Sequence, residues 1–243
     1  MTDIYQIAIV GMQDANRRMD AISQNAASAS LPGYRRHVVS GRPFTAALAG
    51  LDPAAAGATA ADIPQQLQLD LRPGSVTSTG RSLDMAVDSD DLFFALTDGA
   101  QTWLTRSGAF RLNQDGVLIG EGGLRVVGTD GDIHLPGSDV TVEADGRISQ
   151  QGMTVATVQL FRPNDRMSLM AAQGSLIEAA AGIQPAEAEE GRVRGGTLEA
   201  SNTDVGSEMI GLMSIARQFE SLSRVIQGYD GLFGRAIEKL AEI

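Results

Sequence analysis

Cysteine is absent from this 243-residue chain, which excludes disulfide frameworks and thiolate metal sites. Histidine is scarce: His37 and His134 are the two imidazoles, and neither stands near a nucleophile or carboxylate partner in sequence. Both are expected on the surface or at strand edges. Aromatic residues make up 5% of the chain and Trp103 is the single tryptophan, a poor platform for sugars. Walker-type loops, His-Glu-x-x-His and Gly-x-Ser-x-Gly are all missing. No apolar run approaches the ~18–20 residues that a bilayer-spanning helix requires. The longest near the start, residues 7–12, is followed by Asp14, Arg17, Arg18 and Asp20, unlike a secretory leader. These absences predict a chain with no catalytic site, no cofactor, no metal and no membrane insertion.

Negative charge is what the chain has in excess. Lysine and arginine total 19 against 30 aspartates and glutamates, a net charge of −11. Such a field repels phosphate backbones, so nucleic acid is not an expected partner. Asp84, Asp88, Asp90 and Asp91 form the one acidic cluster worth weighing as a site. It lacks the alternate ligands, central glycine and closing glutamate of a calcium loop, and reads as solvated turn carboxylates.

Periodicity separates three regions. Near the start, Tyr5, Ala8, Met12, Ala15, Met19, Ile22, Ala26 and Ala29 recur at three-four spacing, which predicts a heptad helix over residues 3–29. It should stop near Leu31-Pro32-Gly33. Over residues 204–241 the spacing recurs through Val205, Met209, Leu212, Ala216, Phe219, Ser223, Ile226, Asp230, Phe233, Ile237 and Leu240. That helix would be about 55 Å long at 1.5 Å per residue. Between them, Asp98-Gly99, Asp115-Gly116, Asp130-Gly131 and Asp145-Gly146 punctuate alternating segments such as Val117-Leu118-Ile119 and Val140-Thr141-Val142. Asp-Gly between such runs predicts hairpins with type I′ turns.

The expected fold class is therefore α+β. A β-rich antiparallel domain, a small barrel or rolled sheet, occupies residues 75–185, and the two terminal heptad helices form a coiled-coil core. Residues 1–35 hold the first helix and its turn, 36–74 a connector, 186–203 a solvated return linker and 204–243 the last helix. Neither helix can satisfy its stripe alone. Ala8, Met12, Ala15, Met19, Ile22, Ala26, Val205, Met209, Leu212, Ala216, Phe219, Ile226 and Phe233 are the residues expected to carry subunit packing. A secreted β-rich adhesin whose helices hold it together is the rival reading.

Three motifs resemble the bacterial flagellar rod and hook protein family. Residues 24–36, with Asn25, Ala27, Pro32, Gly33, Tyr34, Arg35 and Arg36, are similar to its signature Asn-Asn-Leu-Ala-Asn-x-x-Thr-Pro-Gly-Tyr-Lys-Arg. Arg72-Pro73-Gly74, Thr79-Gly80-Arg81-Ser82-Leu83-Asp84 and Thr105-Arg106-Ser107-Gly108 resemble the stretch around the first β-domain strand. Ser89-Asp90-Asp91-Leu92-Phe93-Phe94 departs from the family's Gly-Asp-Gly-Phe-Phe. Leu198-Glu199-Ala200-Ser201-Asn202 and Arg217-Gln218-Phe219-Glu220 resemble Leu-Glu-x-Ser-Asn and Arg-Ala-Tyr-Glu. The resemblance implies a structural subunit of the flagellar basal body, most like the proximal rod. It also implies export without a cleaved signal by the flagellar type III apparatus, assembly in the periplasm with copies of itself and other rod subunits, and torque transmission.

Overall fold

The computed structural model describes residues 2–40, 66–187 and 191–241, so most of the expected connector lies outside the described residues. The chain divides into two compact units. One gathers residues 1–26, 38–67 and 205–243, and its helices are α1 (Thr2–Ser28) and α2 (Val205–Ala241). Both form where small and apolar side chains recur every three or four residues with no interior proline. They meet where α2 carries a glycine: a Cβ at Gly211 would lie 3.2 Å from Ile22 Cδ1.

The buried faces lie partly off the expected stripes. Ala8 and Ala15 are buried and Ile22, Leu212, Phe219 and Ile226 half-buried. The alternate positions fall one residue earlier, at Gly11 and Asn25 on α1 and at Glu208 and Leu222 on α2. Met12, Met19, Ala26 and Ala216 are half-buried, whereas Val205 and Met209 are exposed. Leu222 buries more apolar surface than Ser223 could. The side chains of Phe233, Ile237 and Leu240 lie outside the described residues.

The second unit, residues 27–37 and 68–204, is built of antiparallel strands. At its centre β5 (Phe93–Thr97) pairs on one side with β6 (Thr102–Thr105). Its other edge is shared: Phe93 and Phe94 face β14 (Leu160–Pro163), while Leu96 and Thr97 face β9 (Arg125–Gly128). Alternation sends Phe94 and Leu96 into one core cluster with Met85, Phe110 and Leu118. Phe93 and Ala95 enter a second with Leu104, Leu169 and Ile177. With both faces covered, β5 reads as an unbroken apolar run.

That splitting at β5 corrects the expected barrel. A barrel needs a continuous ring of strand neighbours, whereas this sheet branches and ends on open edges, and among the described residues it does not close. The glycines of all four Asp-Gly pairs do lie at hairpin turns with positive φ. Their aspartates do not, so the turns are not type I′. Glycine alone carries the left-handed conformation there, as in turns closed by a bulge.

The expected return linker also carries strands. In it β18 (Val193–Gly195) pairs with β4 (Met85–Val87), and β19 (Thr197–Glu199) with β3 (Val76–Ser78). These pairings place Glu199 at the entrance of the unit.

Candidate functional site

Four segments far apart in sequence converge within the second unit: residues 32–37, 70–75, 105–108 and 198–202. At their centre Glu199 lies between two arginines. Arg35 Nη2 approaches Glu199 Oε1 at 2.6 Å and Arg106 Nη1 approaches Oε2 at 3.4 Å, and all three side chains are 1% exposed. The Gly74 N–H donates to Glu199 Oε1 at 2.9 Å. Arg106 Nη1 also donates to the Val87 carbonyl at 3.3 Å, and Nη2 to that of Ser89. The Arg106 guanidinium stacks over Phe93, 4.9 Å from the ring centre.

Two guanidiniums against one carboxylate leave an excess positive charge out of water. Burial pushes Arg106 down to about 10; Glu199 pulls it back up, Arg35 lowers it further, and Asp90 and Asp91 raise it. The largest opposing charge is that of Glu199, and Asp90 and Asp91 act in the same direction more weakly. Two carboxylates of this stretch form ion pairs at the surface: Asp88 with Arg194 at 2.7 Å, and Asp91 with Arg166. Asp84 is buried and accepts a hydrogen bond from Thr79 Oγ1 at 2.7 Å. Asp88, Asp90 and Asp91 thus lie at the solvent-facing turn as expected, whereas buried Asp84 departs from that expectation.

Backbone contacts complete the clasp. Gly33, at φ +67°, packs so tightly on Arg106 and Ser107 that a Cβ would lie 2.2 Å from the Ser107 nitrogen. Its N–H donates to the Glu199 carbonyl at 2.8 Å. Asn202 Oδ1 accepts the Arg36 N–H at 2.7 Å, and its amide donates to the carbonyls of Asp70 and Arg72, each at 2.8 Å. Asn202 is thereby spent on the clasp. Tyr34 is buried beside His37, with ring centres 5.3 Å apart. His37 is buried at the start of the strand His37–Ser40, so of the two expected positions it takes the strand edge and not the surface; His134 is exposed.

Pro32, Gly33, Tyr34, Ser201 and Asn202 all lie in this region, whereas Ala27 is exposed and Asn25 is buried on α1. Arg35, Arg106 and Glu199 belong to the same motif segments, but no role could be read for them. Chemically the arrangement ties strands together, and it presents no nucleophile beside a base. Among the described residues, no group of three or more His, Asp or Glu is placed to hold a metal, and no helix is long and apolar enough to cross a membrane.

Residues 194–239, which include Glu199, Asn202 and most of α2, match the family model described as flagellar basal body rod FlgEFG protein C-terminal. The flagellar basal-body rod protein FlgF of Salmonella typhimurium (strain LT2) is 31% identical over 256 residues, covering 98% of this chain and 98% of that protein. The chain belongs to the flagellar basal-body rod protein family. FlgF of Escherichia coli (strain K12) is 30% identical over 98% of both chains. The rod protein FlgG of Bacillus subtilis (strain 168) is 28% identical over 91% of this chain and 93% of its own. The protein is a structural subunit of the flagellar basal-body rod, a family that is not an enzyme class.

Proposed function

We propose that this rod subunit occupies the proximal rod and polymerises through its terminal helices with copies of itself and neighbouring rod subunits. The end-to-end similarity to FlgF proteins carries the assignment. Similarity to FlgG over nearly the same span makes the distal rod the second reading. Helices at both chain ends supply long seams, and repeated heterologous contacts between such seams build an open helical shaft. The β-rich unit forms the outer layer, and the clasp around Glu199 ties its incoming and outgoing chain segments so that torque does not pull them apart. The subunit reaches the periplasm through the flagellar type III export apparatus and performs no catalysis.

An in-frame chromosomal deletion, scored by swimming and by electron microscopy of basal bodies, tests this reading. Non-motile cells without hooks or complete rods, rescued by the full chain but not by residues 1–204, are the expected result. Normal swimming with intact hooks in a strain lacking a second copy overturns it.

A further inference from the structure

Without cysteine, the nine methionine thioethers are the readily oxidised sulfurs of this chain. The fold distributes them unevenly. Met85 is fully buried in the β-unit core, whereas Met167 is 86%, Met153 70%, Met213 54%, Met170 49% and Met209 44% exposed. The two on α2 lie one helical turn apart, and with exposed Ile210 they make an apolar strip on the side turned away from buried Glu208 and Leu222. A helix with one apolar face against its partner and a second in water is suited to sit between two neighbours.

We propose that Met209 and Met213 form an oxidation switch on the face through which the subunit assembles; this rests on the assembly reading above. The oxidant is a peroxide. The thioether sulfur attacks one peroxide oxygen and the O–O bond breaks; that oxygen stays on sulfur as a sulfoxide, its proton passes to the other oxygen, and the latter leaves as water. Sulfur is oxidised by two electrons and the peroxide reduced by two. The sulfoxide is polar where the thioether was apolar, so burying it against a neighbouring helix leaves a strong acceptor without water. A reductase of the methionine-sulfoxide class restores the apolar face. Met153, Met167 and Met170 oxidise under the same conditions but lie on the β-rich unit, where they serve as internal controls.

The test uses the full chain, treated with hydrogen peroxide, mapped by peptide mass spectrometry and followed by sedimentation against concentration. Oxidation of Met209 and Met213 is expected to weaken self-association at least tenfold. The Met209→Leu/Met213→Leu double variant, with unchanged helix content by circular dichroism, should keep its association after the same treatment. The Met153→Leu/Met167→Leu/Met170→Leu variant should remain as sensitive as the parent. Undiminished association with both α2 sulfurs oxidised overturns the switch alone, as does equal loss in the double variant. A chain that stays monomeric before treatment overturns the assembly reading, and the switch with it.

Discussion

Glu199→Gln keeps the shape of the side chain and removes the one negative charge between two buried guanidiniums. Removing a single partner from a buried ion network costs about 3–5 kcal/mol, because the remaining charges lose their compensation. Replacing all of it is a different experiment. Arg35→Met/Arg106→Met/Glu199→Met exchanges charges for apolar volume, and such exchanges are commonly neutral or stabilising. We expect the single variant to lower the urea midpoint of the β-rich unit by the equivalent of about 3–5 kcal/mol, and the triple variant to lower it far less. Equal losses would mean that packing rather than charge balance holds the clasp. His37 gives the same region a pH dependence. Burial holds its imidazole below the ordinary value of 6.5, so the folded chain takes up the proton less readily than the unfolded one. Its contribution to stability is fully present above pH 6.5 and is lost as pH falls below that value through the folded pKa. Urea midpoints at pH 7.5 and about 5.5 should differ less in His37→Gln than in the parent; an unchanged difference rejects the assignment.

At the scale of elements, the hairpin between β12 (Arg147–Gln150) and β13 (Met153–Thr157) is the exception among the turns. Gln151 and Gly152 have φ of 52° and 82°, the two positive values that a type I′ turn demands. Glutamine tolerates that region poorly and asparagine much better. Gln151→Asn should raise stability by about 0.5–1 kcal/mol, read as a higher thermal midpoint, and a lower midpoint would show that the glutamine is held by contacts worth more than its strain. The case shows what could be read locally. Asp-Gly marked where the chain reverses, because only glycine is at ease at positive φ, but whether the preceding residue joins it depends on strand register, which composition does not state. Helical spacing likewise placed α1 and α2, yet not which of two adjacent positions faces inward, since Gly11 and Met12 fit the same heptad. The clasp left no local trace at all: Arg106 and Glu199 meet across 93 residues of sequence, and their segments gave no hint of burial.

For the whole molecule, the two units differ in what holds them. Among the described residues of the helical unit, the buried apolar side chains are Ala8, Ala15, Ala21 and Leu222. Three of these are methyl groups, and each contributes little beside the ~1.5–3 kcal/mol of a fully buried large side chain. The β-rich unit buries Phe93, Phe94, Phe110, Met85, Leu96 and many more. Seam positions carrying Asn25 and Glu208 add no apolar area to the helical side. Isolated helices are marginal in water, so α1 and α2 should open locally at far lower free energy than β5 and β6. Amide exchange of the dilute chain is therefore expected to finish early across both helices while the central strands stay protected, and the helices should gain protection on self-association. Helices as well protected as β5 in the dilute monomer would refute this, and would mean that the seam between α1 and α2 is sufficient without a neighbour.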